Sequence, residues 1–167
     1  MLLKTLQFTA TILNQHIKNT FSLDRDIVLL NTIKDITSSV QQTNQNKVVL
    51  TLINLEPETT LRANPTQVVG NTSTEIRPQP YNLHVLICSN FDDYKEALKF
   101  LDTVLLFFQT HPLLNSSVFS NMPEGIDKIM FEMESLNYAQ MHDIWTAIGA
   151  NHQLSVVYKI RVMPSES

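Results

Sequence analysis

Apolar residues recur at spacings of four, three and four at Leu6, Ala10, Leu13 and Ile17, with Thr5, Gln7, Asn14, Gln15 and Lys18 mostly on the other faces. This period predicts a helix over residues 2–19. Asp26–Ile33, rich in Ile, Val and Leu, is a short strand candidate, and the polar stretch Lys34–Asn46 follows neither period. From Lys47 to Leu55 both alternating sets are apolar: Val48, Leu50 and Leu52 on one side, Val49, Ile53 and Leu55 on the other. Such a strand is covered on both faces. Asn82–Ser89 has the same character, with Leu83, Val85 and Ile87 set against His84, Leu86 and Cys88. Between these strands lies Glu56–Pro80, which holds four of the seven prolines. A connection that long is unusual in a compact domain.

Asp93 to about Thr110 is the best helix candidate. Asp92 or Asp93 can cap its first amides, and His111-Pro112 ends it. Tyr94, Leu98, Leu101, Leu105 and Phe108 make its apolar stripe, widened by Phe100, Val104 and Phe107. Lys128–Ser135 alternates as a strand, with Ile129, Phe131 and Met133 inward and Met130, Glu132 and Glu134 outward. Asn137 and Gln140 then stand at the spacing of a capping box. Behind them Tyr138, Met141, Trp145 and Ile148 form a buried stripe, and Gly149 suits a left-handed helix end. In the last strand Leu154, Val156, Tyr158, Ile160 and Val162 face the core, while Ser155, Lys159 and Arg161 face water or a partner. The corner Leu113-Leu114 near Val118-Phe119 reads as a lid on the core or as a contact for a neighbour. The expected fold class is α/β (α+β), a single mixed β-sheet packed with helices. Its expected order is α-β-β-(long loop)-β-α-β-α-β, in one domain over residues 1–167 with a loop or arm at 56–80.

Composition narrows the function. Charged residues are only 17% of the chain, against an average of about 25%. Asn, Gln and Thr supply polarity instead, as in Gln41-Gln42-Thr43-Asn44-Gln45-Asn46. Charge-poor surfaces suit packing between proteins. The net charge of −4, with no cluster of Lys and Arg, argues against nucleic-acid binding. We expect no membrane span and no signal peptide, and hence assembly in the cytoplasm. Cys88 is alone and sits in an apolar run, so it reads as an inert core thiol.

No pattern of residues asks for catalysis. The five histidines, His16, His84, His111, His142 and His152, show no metal-binding helical spacing, and three glycines make no phosphate loop. No catalytic residue, cofactor or metal is therefore assigned. Glu132 and Glu134 share one strand face, where Lys159 or Arg161 can be their cross-strand partners. The long loop has two readings. It is a plain surface excursion, or an arm that orders against a neighbour through Leu61, Val68, Val69 and Ile76 as anchors with Arg62 and Arg77 as charged contacts.

Ordered stretches of the chain resemble a known family. They are Asn46-Lys47-Val48-Val49-Leu50-Thr51-Leu52-Ile53-Asn54-Leu55-Glu56, Thr60-Leu61-Arg62, Tyr81-Asn82-Leu83-His84-Val85-Leu86, Asn90-Phe91 and Tyr94–Gln109. Phe131-Glu132-Met133-Glu134, Ile144–Ala150 and Ser155–Arg161 continue the match towards residue 163. Together they are similar to the N-terminal domain of the tail-terminator, or cap, proteins of phage-tail-like contractile injection systems, of the antifeeding-prophage and virulence-cassette kind. Gln153-Leu154 replaces the family's usual proline before Ser-Val.

The resemblance implies a tail-terminator-like fold and a hexameric ring at the baseplate-distal end of the tail. There the ring stops the inner tube, anchors the last sheath layer, and becomes part of a particle that is released or tethered. A closed ring of identical subunits requires two different patches on each. The loop and the face carrying Glu132, Glu134, Lys159 and Arg161 are the candidate subunit, tube or sheath contacts, and sheet-edge addition is a further docking mode for sheath arms. The end at Ser167 leads us to expect no separate sheath-gripping domain. The alternatives are a neck, baseplate or secretion-system adaptor of the same fold, and a small-ligand or enzymatic domain with a pocket near His84 and Cys88.

Overall fold

The structure is a computed structural model that describes residues 1–34, 38–59 and 80–165. The elements are α1 (Leu2–Phe21), β1 (Val28–Leu30), α2 (Ser38–Asn44), β2 (Lys47–Pro57), β3 (Tyr81–Asn90), α3 (Tyr94–Thr110), β4 (Leu113–Asn115), β5 (Ile126–Met133), α4 (Tyr138–Ile148) and β6 (Ser155–Pro164). They build one six-stranded sheet in the order β1-β2-β3-β6-β5-β4. β1 runs parallel to β2, and every other neighbouring pair is antiparallel. The mixed sheet with helices is the α/β architecture that the residue pattern predicts.

The two-sided strands explain the layering. Val48, Leu50, Val85, Ile87, Val156, Tyr158 and Ile160 pack with α1 and α3 residues in the larger core. The alternate residues Val49, Leu86, Cys88 and Val157 join Ile33 and Trp145 of α4 in a smaller one. Each fully buried side chain of this size contributes about 1.5–3 kcal/mol relative to an exposed one. Both cores therefore hold the sheet, and the larger one dominates.

Helix ends follow the polar signals. Asp93 accepts a hydrogen bond from Lys95 N–H at 2.9 Å. Asn137 and Gln140 form the reciprocal capping box, and Gly149 closes α4 at φ +74°. At the other edge of the sheet, the Asn14 amide oxygen of α1 accepts from the N–H groups of Ile27 and Val28 at 2.8 and 3.0 Å.

Some expectations are corrected. α2 forms in the aperiodic polar stretch because the buried Asn44 bonds to Asn31, Thr32 and Asn90 rather than because of an apolar face. Leu113–Asn115 is a strand paired with β5; Leu114 and Phe119 do pack on the larger core, while Leu113 and Val118 are exposed. α3 is rotated so that Ala97, Phe100, Val104 and Phe107 lie at the centre of its buried face, which leaves Tyr94 and Leu98 exposed. The first turn of α4 stands clear of the sheet, so Tyr138 is 97% exposed. Met133, at the end of β5, is exposed as well. The Glu56–Pro80 stretch begins later than expected, because Glu56 and Pro57 still pair with Asn82 and Tyr81.

Candidate functional site

α4 covers only part of its side of the sheet. Beyond it the register sets Asn54, His84, Lys159 and Glu132 side by side across β2, β3, β6 and β5. Two residues further along, on the same face, stand Glu56, Asn82, Arg161 and Met130. A charged strip thus crosses four strands, on the side opposite the larger core.

Its side chains are closely paired. Lys159 Nζ lies 2.6 Å from Glu56 Oε1. The His84 ring lies between two carboxylates, with Nδ1 2.5 Å from Glu134 and Nε2 3.3 Å from Glu56. Arg161 reaches Glu132 at 3.5 Å and the buried Glu58 at 4.0 Å. The hydrogen bond from Lys159, with the nearby charges of Lys159 and His84, holds the Glu56 carboxyl below its ordinary range despite partial desolvation. Within this strip, Asn82 Oδ1 and Arg161 Nε are buried and have no hydrogen-bond partner among the described residues.

Of the residues singled out from the sequence, Glu132, Glu134, Lys159 and Arg161 do come together. The pairing differs from the expected one in part. Arg161 serves Glu132, but Lys159 turns to Glu56, and Glu134 turns to His84. Glu56, Glu58 and His84 were missed as members. Alternation placed His84 on this face, but only the non-sequential order β2-β3-β6-β5 shows what it meets.

Leu61, Arg62, Val68, Val69, Ile76 and Arg77 lie outside the described residues. The segment that holds them leaves and re-enters at the strip, where Glu58 N–H donates to Pro80 C=O at 2.9 Å.

A cavity of about 580 Å³ opens between α4 and β2, with Ile33, Lys34, Thr51, His84, Glu134 and Asp143 among its lining. Cys88 does not line it. That thiol is fully buried, and desolvation pushes it up to about 12. A pocket using both His84 and Cys88 is therefore not formed. Among the described residues no group of His, Cys, Asp and Glu is arranged to hold a metal ion, and no helix is long and apolar enough to cross a membrane. The strip is a polar surface whose charges are paired within the chain.

The family model described as the Pvc16 N-terminal domain matches residues 6–167. No curated protein matches the chain. Among solved structures the chain is similar to one described as the PVC sheath/tube terminator of an extracellular contractile injection system, in the extended state. The TM-score is 0.50 at 16% identity, and the match covers 92% of this chain and 56% of that one. The chain thus spans little more than half the length of that neighbour, and at this identity the likeness shows a shared fold.

Proposed function

The chain belongs to the Pvc16 N-terminal domain family, and from that premise we propose that it is a structural protein that caps the baseplate-distal end of a contractile injection system. In this reading it terminates the inner tube and anchors the last sheath layer. The observation that carries the reading is the family match over residues 6–167. The fold shared with a sheath/tube terminator supports it.

The partners follow from the same reading: copies of itself in a hexameric ring, the inner tube protein and the sheath protein. Residues 1–167 act as one domain. The strip of Glu132, Glu134, Lys159 and Arg161 and the segment carrying Leu61, Arg62, Val68, Val69, Ile76 and Arg77 form two of its contact patches. Head-to-tail closure needs two unlike patches on every subunit. Its role is assembly rather than catalysis, and the chain acts as part of a particle.

Electron microscopy of particles assembled without this chain tests the proposal. Tubes of uncontrolled length, or open distal ends with a loose last sheath layer, are expected. Closed tails of normal length would overturn it. A defect confined to the baseplate or neck would favour an adaptor of the same fold.

A further inference from the structure

We propose that the free half of β2 is an acceptor for one extended segment of a different protein chain, which adds to the sheet as a strand beside Leu52–Glu56. The inference rests on the geometry of the chain alone and does not depend on the cap reading. On its outer side β2 is paired with β1 only over Val48–Leu50. Asn31 makes the last ties, its N–H donating to Leu50 C=O at 3.1 Å and its C=O accepting from Thr51 Oγ1 at 2.5 Å. β2 itself runs on to Pro57. The chain that leaves β1 turns back to the start of β2, where Asn44 C=O accepts from the side chain of Asn90, the register partner of Lys47. Among the described residues no backbone group bonds to the outer side of Leu52–Glu56.

The ladder shows which groups are open. Ser89 N–H donates to Leu154 C=O, so the odd-numbered residues of β3 bond to β6, and His84 and Asn82 bond to β2. Asn54 and Glu56, their register partners, therefore turn their N–H and C=O groups to β3. Leu52 and Leu55 point theirs off the sheet, with the register shift at Ile53 between them. An extended peptide backbone offers the donors and acceptors that such an edge lacks.

The two outermost strands, by contrast, are blunted. β1 and β4 have three residues each. Asn14 holds Val28 N–H, and Asn115 C=O at the end of β4 accepts from Phe119 N–H at 3.0 Å. Short, locally occupied edges are how sheets avoid random pairing, and β2 is left open where the cavity adjoins it. Thr51, Ile53 and Asn54 line that cavity together with the apolar Ile33, Ile144 and Ile148 of the smaller core; its charged members Lys34 and Asp143 are exposed. Every second side chain of an added strand faces this side of the sheet, so the fitting segment is apolar at alternate positions. A second copy fits less well. Its own β2 offers the polar Asn54 and Glu56 on that face, and its outermost strands are blunted.

The probe is a displayed library of short peptides, selected on the purified chain. Selected peptides are expected to carry apolar residues at alternate positions and to bind wild type and Leu55→Ala alike. Leu55→Pro removes an outward N–H that the sheet does not use, a place where an edge strand tolerates proline. It is expected to weaken binding of the selected peptide about tenfold or more. A selection that yields no binder, binding that survives Leu55→Pro, or an equal loss in Leu55→Ala would overturn the acceptor edge. Self-association of wild type that is lost in Leu55→Pro, measured by sedimentation, would give the edge to a second copy and overturn the proposed occupant. In case Leu55→Pro does not fold, hydrogen exchange of wild type provides the second measurement. The Leu52 and Leu55 amides are expected to exchange fast in the free chain and slowly with the selected peptide bound, and unchanged exchange at both would also overturn it.

Discussion

Glu56 and Lys159 meet at 2.6 Å although β3 lies between their strands. The two side chains cross over β3 between His84 and Asn82, which are the register neighbours of Lys159 and Glu56. One ion pair thereby braces three strands. Glu56 is 40% exposed, so solvent screens the pair. A double-mutant cycle of Glu56→Gln and Lys159→Met should give a coupling of about 0.2–1 kcal/mol, smaller in high salt.

Acid should weaken the fold through carboxylates held below their ordinary range. Hydrogen bonds from Asn14 and then Lys18 lower Asp26, and the hydrogen bond from Lys159 lowers Glu56. A depressed carboxyl contributes stability above its unfolded value, and that contribution is lost as pH falls through the folded one. The loss belongs below about pH 4, under the ordinary carboxylate values. Denaturation curves of Asp26→Asn should depend less on pH in that window than those of wild type.

His16 acts in the same direction at milder pH. Burial, and then the charge of His111, lowers it, so the folded state prefers the neutral ring. Stability from this source is present above the ordinary histidine value and fades as pH drops below it. Replacing His16 with Gln should flatten the stability profile just below about pH 6.5.

Trp145 is the largest side chain of the smaller core and the one fully buried residue of α4. Trp145→Ala should cost about 3–5 kcal/mol, measured by chemical denaturation. Trp145→Phe should be much milder, because the indole N–H has no hydrogen-bond partner among the described residues to lose. Hydrogen exchange should show α4 opening first in the alanine variant, with α1 and α3 still protected.

Left-handed glycines separate strain from crowding. Gly125 has φ +84° with open space around its missing Cβ, whereas at Gly149, φ +74°, a Cβ would lie 3.1 Å from Lys34 Nζ. Alanine at either position should cost roughly 1–2 kcal/mol of backbone strain. The flexible Lys34 can move aside, so the two variants should melt at similar temperatures.

Cys88 should be silent. With its thiol pushed up to about 12 by burial, it should resist a soluble thiol reagent at about pH 8 in the native state and react fully in denaturant.

Local physics made much of the fold legible. Side chains alternate along a strand, so Val48 and Val49, or Leu86 and Ile87, could be assigned to opposite faces without knowing what covered them. Asn137 and Gln140 lie three residues apart, and their capping box needs nothing from the rest of the chain. Contacts set by tertiary order were not legible. α2 depends on Asn44 reaching Asn31, Thr32 and Asn90. His84 meets Glu134 only because β6 inserts between β3 and β5. Glu132 and Arg161 could be anticipated as cross-strand partners, but their neighbours could not. Met133 and Tyr138 fitted their stripes yet fell at element ends, where no opposing surface remains.

The Asn14 side chain that binds the Ile27 and Val28 amides has a consequence for how copies can meet. A bare outer strand invites any extended peptide to continue the ladder, including another copy in an endless row. Here the rim strand has only three residues, and its outward-facing Val28 donor is already occupied by the helix beside it. Uncontrolled stacking along that rim is thereby discouraged.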